Sequence, residues 1–324
     1  MDQEPRVSVV TPFYNTAAYL AEAIESVLAQ RYSNFEFLLV NNKSTDGSRE
    51  IAAEYVGRDS RIKLFDNDEF VGQMPNYNGA LRRIGADSKY VKMVQSDDTI
   101  FPDCLSSMVA VAERDPKIAI VSSFYLNGNE PRGEGIAYGS WRSPGRDVAR
   151  LMLLQQRFLL GTPTVVLYRA DVVRSRAQFF PEGTLHPDTE VGYELLLDHD
   201  FGFVHQIESF CRTQEESITS KSLDFNPGLL DYVIVIERFG RRFLTDSEFE
   251  ALRAREWGYY WDFLGSSLLR RREPAFWDYH RRGLATIGKE LSMHQVRAAA
   301  LKSAARLALN PLSSIDRALR SLSG

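Results

Sequence analysis

The chain has 324 residues and a mass of 36.8 kDa, with 44% hydrophobic and 25% charged residues, so composition supports neither disorder nor a collagen or coiled-coil reading. Lys and Arg number 39 against 43 Asp and Glu, a formal charge of −4, which leaves no chain-wide basic footprint and argues against nucleic acid as a partner. Cys104 and Cys211 are the only cysteines, too few for a disulfide framework or a four-cysteine zinc site, and they point to a reducing, cytoplasmic setting.

Val7-Ser8-Val9-Val10 is a β-branched run halted by Thr11-Pro12 and reads as a buried strand. A helix should follow, capped by Asn15 or Thr16, with Leu20, Ile24, Val27 and Leu28 along one face. Phe35–Val40 is the second strand, and the polar run Asn41 to Ser48 is a loop that leads into a capped helix. Ile62–Phe65 supplies a third strand, Asn76–Ile84 a helix, Tyr90–Val94 a fourth strand and Ile118–Ser122 a fifth. Strands alternating with helices imply an α/β fold with a parallel sheet and helices on both faces. In such sheets the ligand crevice lies beyond the carboxyl ends of the strands. The loops Thr11–Asn15, Asn41–Ser48 and Gln95–Asp98 all fall there.

From about residue 229 the pattern turns to Arg-rich helices, over Asp246–Arg255, Trp257–Arg272 and Gln295–Leu309. Residues 229–324 hold 16 Lys and Arg against 11 Asp and Glu, whereas residues 1–228 hold 23 against 32. A basic helical tail, residues 226–324, thus follows an acidic α/β body, residues 1–225. Val296, Ala300, Leu301, Ala304, Leu307 and Ala308 lie near one helical face. That face suits packing on the body or on a second copy of the chain, with an anionic membrane surface as the weaker reading. Trp257, Tyr259, Tyr260, Trp261 and Phe263 suit the same packing, or stacking on an acceptor sugar. No apolar run reaches the ~18–20 residues of a membrane span, and Met1–Arg6 is polar with no apolar signal-type segment behind it. Neither export nor a membrane span is expected.

Ser96-Asp97-Asp98 directly follows the fourth strand and delivers two carboxylates into the crevice. Adjacent carboxylates repel unless a cation sits between them and a second anion. Magnesium commonly takes one or two carboxylates together with substrate phosphates, so the pair suits a metal–diphosphate site. A solvated turn ahead of the helix near Pro102 accounts for the same residues.

The combination is more specific. Val9 to Asn15 (Val-Val-Thr-Pro-Phe-Tyr-Asn), Leu20 to Gln30, Phe35 to Val40, Ser44-Thr45-Asp46-Gly47-Ser48 and Ser96-Asp97-Asp98 resemble, in order and spacing, the family 2 glycosyltransferases of the GT-A fold. Asp200 to Val204, with Arg212 and Ser217 beyond, resembles the end of that family's catalytic domain. The resemblance implies transfer of a sugar, with inversion, from a nucleotide-sugar donor to a glycan or lipid-linked acceptor. It implies that Thr11, Pro12, Phe13 and Asn15 hold base and ribose, and that Asn41 and Asn42 read the base edge. Ser44, Gln95, Ser96 and Asp97 complete the donor site, and Asp98 brings Mg2+ or Mn2+ to the diphosphate. Thr11 and Asn15 also suit strand-end and cap roles, and Tyr14 a packing role. The acidic base falls on Asp188, with Glu190 as the alternative, within His186-Pro187-Asp188-Thr189-Glu190. Asp188 also suits an N-terminal helix cap.

Departures from the pattern are specific. Asn41 and Asn42 stand where the family commonly has aspartates, and an amide offers donor and acceptor where a carboxylate offers only acceptors. Tyr77 stands where an arginine is common, and Gln214 where a histidine is common. His186, His199, His205, His280 and His294 form no zinc-protease pattern, and neither a G-x-G-x-x-G after the first strand nor a P-loop is present. Two rivals remain: a nucleotidyltransferase, disfavoured by the absence of a glycine- and basic-rich first loop, and a non-catalytic binding module of the same fold.

Overall fold

The computed structural model describes residues 4–184, 186–213, 225–270 and 272–309. The chain divides into two compact units, Met1–Ser217 and Ile218–Gly324.

The first unit opens with β1 (Val7–Phe13), α1 (Leu20–Leu28), β2 (Phe35–Asn41), α2 (Ser48–Val56), β3 (Ile62–Asp66), α3 (Gln73–Leu81) and β4 (Tyr90–Met93). It continues through β5 (Thr99–Ile100), α4 (Cys104–Ala112), β6 (Ile118–Asn127), β7 (Glu130–Arg132), β8 (Arg142–Ser143) and α5 (Gly145–Gln155). A 3-10 turn (Pro163–Val165), β9 (Leu167–Arg169), α6 (Ala170–Arg174), α7 (Pro187–Leu195) and β10 (Asp200–Cys211) complete it. These strands form one sheet in the order β3-β2-β1-β4-β9-β6-β10-β5, with β7 on β6 and β8 on β10.

The parallel expectation holds for β3, β2, β1 and β4, and again for β6 with β10. It fails at β9, which runs antiparallel to both β4 and β6 and so joins two parallel blocks. The chain reaches this three-residue strand by way of β7, β8, α5 and the 3-10 turn, and enters the sheet in the reverse direction. β1 also runs further than its proline suggested. Val94 N–H reaches the Val10 carbonyl (3.0 Å) and Asn42 N–H reaches the Phe13 carbonyl (2.9 Å). Successive residues therefore face opposite neighbours, and Pro12 faces β4 beyond the last β1–β4 pair, where no N–H is needed.

The core lies between the sheet and α1, α2 and α4, with Val7, Val9, Phe37, Leu39, Ile24, Val27, Leu105 and Met108 buried together. β1, β2 and β4 are buried along their whole lengths, as expected of central parallel strands covered on both faces. Their carboxyl ends carry the polar loops.

Among the described residues, the second unit holds α8 (Pro227–Phe243), α9 (Asp246–Leu269), α10 (Pro274–Ala285) and α11 (Met293–Leu309). The two helical patterns expected at Asp246–Arg255 and Trp257–Arg272 are one unbroken helix, started by a capping box between Thr245 and Glu248. On α11, Val296, Ala299 and Ala300 are buried while Leu301 is 74% exposed. The cause is close packing on α9: a Cβ at Gly265 would lie 2.6 Å from Ala299 backbone. The covered stripe therefore differs from the expected one, Ala304 being exposed and the side chains of Leu307 and Ala308 lying outside the described residues.

Candidate active site

The β1–α1 and β2–α2 loops are stitched together. Asn15 sits in the left-handed region (φ 51°), which asparagine tolerates. From there its N–H donates to Ser44 Oγ (3.1 Å) and its Oδ1 accepts the Thr45 N–H (2.8 Å). Asp46 accepts the Ala17 N–H (2.9 Å), and Thr16 N–H donates to Ser48 Oγ (2.9 Å). Neither Asn15 nor Thr16 caps α1 with its side chain. Tyr19 is the N-cap residue, and the Thr16 carbonyl accepts the Leu20 N–H (2.9 Å).

Beneath these loops, Thr11 is fully buried and its hydroxyl donates to the Val94 carbonyl (2.8 Å), locking β1 to the end of β4. Pro12 and Phe13 are buried too. Asn41 donates to Asp66 Oδ1 (2.8 Å) and accepts the Ser44 N–H (2.9 Å). Asn42 donates to the Val71 carbonyl (2.8 Å) and accepts the Val71 N–H (3.1 Å) and an N–H of the Asn67 side chain (3.0 Å). Asn67 in turn donates to Asn76 Oδ1 (2.9 Å). Both carboxamides in the second loop thus engage protein partners. The rings of Tyr14 and Phe70, 44% and 59% exposed, stand beside them with centroids 4.7 Å apart.

The two acids lie in the turn that ends β4. Asp98 N–H donates to the Gln95 carbonyl (3.1 Å), and Asp98 is buried. Its Oδ2 accepts the Thr164 hydroxyl (2.5 Å) and its Oδ1 the Arg212 N–H (2.9 Å). Burial, reinforced by the charge of Asp97, pushes the Asp98 carboxyl up to about 6 against the lowering effect of those two donors and of the Cys211 thiol. Burial raises Asp97 as well. The Arg212 guanidinium holds the Asp97 carbonyl (3.1 Å) and Glu22 (2.7 Å) and lies over the Tyr19 ring. Ser96 is buried in the same turn. Gln95 Nε2 donates to the Tyr77 hydroxyl (3.2 Å), as does Gln73 Nε2 (3.2 Å), and burial pushes that phenol up to about 12, so it stays neutral.

Among the described residues no three His, Cys, Asp or Glu side chains gather as a metal cage. The pair at 97 and 98 fits a different arrangement, one or two carboxylates with the remaining positions left to phosphate and water. Asp98 is buried with only neutral donors on its oxygens, each of which retains acceptor capacity. A hard divalent cation suits that charge and that donor set.

Asp188 is on the first turn of α7, where Pro187 takes the opening position, and accepts the Thr189 N–H (3.0 Å). His186 is the N-cap residue, so Asp188 does not occupy the cap. The Asp188 carboxyl is raised by burial, with nearby His186 opposing, and its charge reaches the buried Tyr168 hydroxyl on β9. Burial lowers His186. Asp188 is half-buried and Glu190 buried, which leaves Asp188 the more accessible of the two. Gln214 and Ser217 lie outside the described residues.

Sequence reasoning missed Thr164, Asn67 and the backbone N–H of Arg212, which fix the candidate groups. Threonine in Thr162-Pro163-Thr164 carries no spacing signal, and Asn67 is an ordinary strand-end residue until its contacts are known. A cavity of about 290 Å3 lined by Asn78, Arg82, Val173, Arg174 and Phe179 contains none of the crevice acids. No helix among the described residues is long and apolar enough to cross a membrane.

Comparison with known proteins bears on this geometry. Over 127 residues the chain is 36% identical to the putative glycosyltransferase EpsE of Bacillus subtilis, covering 39% of this chain and 45% of that protein, less than half of its length. The fold is shared with S. aureus TarS 1–349 in complex with UDP-GlcNAc (TM-score 0.62, 17% identity, 87% of this chain and 80% of that one). It is shared also with the mannosyltransferase PcManGT of Pyrobaculum calidifontis in complex with GDP-Man and Mn2+ (TM-score 0.56, 18% identity, 95% and 81% covered). The architecture is accordingly a GT-A domain with a helical C-terminal region. Residues 8–176, just over half of the chain, match the family model for glycosyl transferase family 2, and the protein belongs to that family.

Proposed function

We propose that the chain is an inverting glycosyltransferase that moves a sugar from a nucleotide-sugar donor to a hydroxyl of a glycan or lipid-linked acceptor. The catalytic part is assigned to residues 1–225 and the helical extension to residues 226–324, available for a second copy of the chain or for a membrane surface. The observation that carries the reading is the buried, hydrogen-bonded Asp98 beside Asp97 at the carboxyl end of β4, in a chain of this family. The donor complexes of TarS and PcManGT support a nucleotide sugar, and the Mn2+ in the second supports a divalent ion.

On this reading Asp98, with Asp97 beside it, would hold Mg2+ or Mn2+ at the donor diphosphate. Bound there, a divalent cation would supply Lewis-acid stabilisation of the charge that grows on the leaving nucleoside diphosphate. The stitched loops at Asn15, Ser44 and Asp46 set the wall for base and ribose, where Tyr14 presents a ring face. Asn41 and Asn42 act on the base through the wall they hold. The acceptor hydroxyl attacks the anomeric carbon from the face opposite the diphosphate while Asp188 takes its proton, so one displacement inverts that centre. A carboxyl raised by burial is a better proton acceptor than an ordinary aspartate, which favours Asp188 for this task.

The test is calorimetric titration of the full chain with UDP and with GDP, with and without Mn2+, followed by transfer assays on nucleotide sugars. Mn2+-dependent diphosphate binding with sugar transfer is the expected result. Binding that ignores the metal, or no binding, favours the non-catalytic binding module instead.

A further inference from the structure

The Gln95–Asp98 turn is closed by its own backbone bond, Asp98 N–H to the Gln95 carbonyl (3.1 Å), and then a second time by a side chain from elsewhere in the chain. Thr164 is fully buried on the 3-10 turn Pro163–Val165, which packs between β4 and β6. Its Oγ1 accepts the Gln95 N–H (3.0 Å). Its single proton is then directed to Asp98 Oδ2 (2.5 Å). With Asp98 ionised the polarity of this bridge is fixed, because the backbone N–H can only donate and the carboxylate can only accept. Oδ1 is held from the other side by the Arg212 N–H (2.9 Å) at the end of β10. The carboxylate plane is thereby set by one group from the 3-10 turn and by the end of the last strand, where the Cys211 thiol adds a weaker bond to Asp98.

We propose that Thr164 is a positioning residue for the cation site: its hydroxyl orients the Asp98 carboxylate so that the remaining lone pairs face the crevice, where a divalent ion would sit. The inference rests on the reading of Asp98 as the cation ligand. The physical argument is that a carboxylate with a free χ2 must be immobilised each time a cation binds, whereas one clamped at both oxygens has already lost that freedom. Partners of metal ligands commonly affect affinity by about 10- to 100-fold when removed.

The test uses the full chain, with Mn2+ titrated calorimetrically in the presence of UDP and, separately, GDP. Thr164→Val keeps the shape and removes both the donor to Asp98 and the acceptor of the Gln95 N–H, Thr164→Ser keeps both, and Asp98→Asn reports on the site itself. Thr164→Val is expected to weaken Mn2+ binding by about 10-fold or more, and Thr164→Ser to stay within a few-fold of wild type. A folded Thr164→Val protein with wild-type Mn2+ affinity, beside a weakened Asp98→Asn, overturns the role of Thr164 alone. Wild-type Mn2+ affinity in Asp98→Asn overturns the site reading together with it. Should Thr164→Val melt below the titration temperature, Thr164→Cys replaces it, with the same weakening expected from a poor donor and unchanged affinity counting against the proposal.

Discussion

Asn42 pairs with the backbone of Val71 in both directions, its Nδ2 on the carbonyl (2.8 Å) and its Oδ1 on the N–H (3.1 Å). A carboxamide can make this two-way pair and a carboxylate cannot, because the carboxylate has no proton to give. The departure from the family's aspartate therefore has a local cause: it holds the segment that carries Phe70 against the second loop. Asn42→Asp should set a carboxylate oxygen against the Val71 carbonyl and lower stability by about 1–3 kcal/mol. Urea denaturation reads the loss, and an unchanged midpoint would show that the pair does not constrain the loop.

Asp98 gives a second expectation. Asp98→Asn preserves the shape and retains an acceptor for one donor, but removes the charge that a cation needs. Sugar transfer should fall by about 100-fold or more, in line with a loss of several kcal/mol of transition-state stabilisation. Transfer that survives in Asp98→Asn under chelation would reject the metal role.

Asp188→Asn should separate chemistry from binding. Loss of a general base costs about 10^2- to 10^4-fold in rate, while donor affinity measured by calorimetry should stay near wild type. Because burial raises the carboxyl, the acid limb of kcat/KM should lie above the ordinary aspartate value of about 3.9. The group acts when deprotonated, so activity is lost as pH falls through that limb. Lost donor affinity with preserved turnover would transfer the base role elsewhere, with Glu190 the next residue to replace.

How much of this was legible in the sequence follows from which signals are local. β1, β2 and β4 announce themselves as apolar runs, and the loops beyond them follow from topology, so Asn15, Ser44, Asp97 and Asp98 fall at the crevice by position alone. The antiparallel β9 is three residues long and gives no periodic signal. Thr164 joins Gln95 across 69 residues and Arg212 joins Asp98 across 114, contacts that only the folded chain reveals. The amides of Asn41 and Asn42 were legible as polar loop residues, but their direction, into the protein, depends on Asp66, Asn67 and Val71.

The second unit carries its own titration. His280 is fully buried on α10 with its Nδ1 2.9 Å from the Tyr260 hydroxyl and the Phe276 ring centroid 4.5 Å away. Burial among these rings lowers its pKa from 6.5 to about 4. The neutral imidazole is thus favoured in the folded state, while the unfolded chain takes up a proton near pH 6.5. The associated stability is complete above that pH, declines as pH falls toward 4, and amounts to about 3 kcal/mol at most for a shift of this size. Trp257, Trp261 and Trp277, three of the four tryptophans, lie in this unit, so fluorescence during urea unfolding reports it. Wild type should lose about 2 kcal/mol more than His280→Leu between pH 7.5 and pH 5, the part of the linkage that lies above pH 5. Parallel losses in the two proteins would mean that carboxylates elsewhere, not this imidazole, set the acid sensitivity of the helical unit.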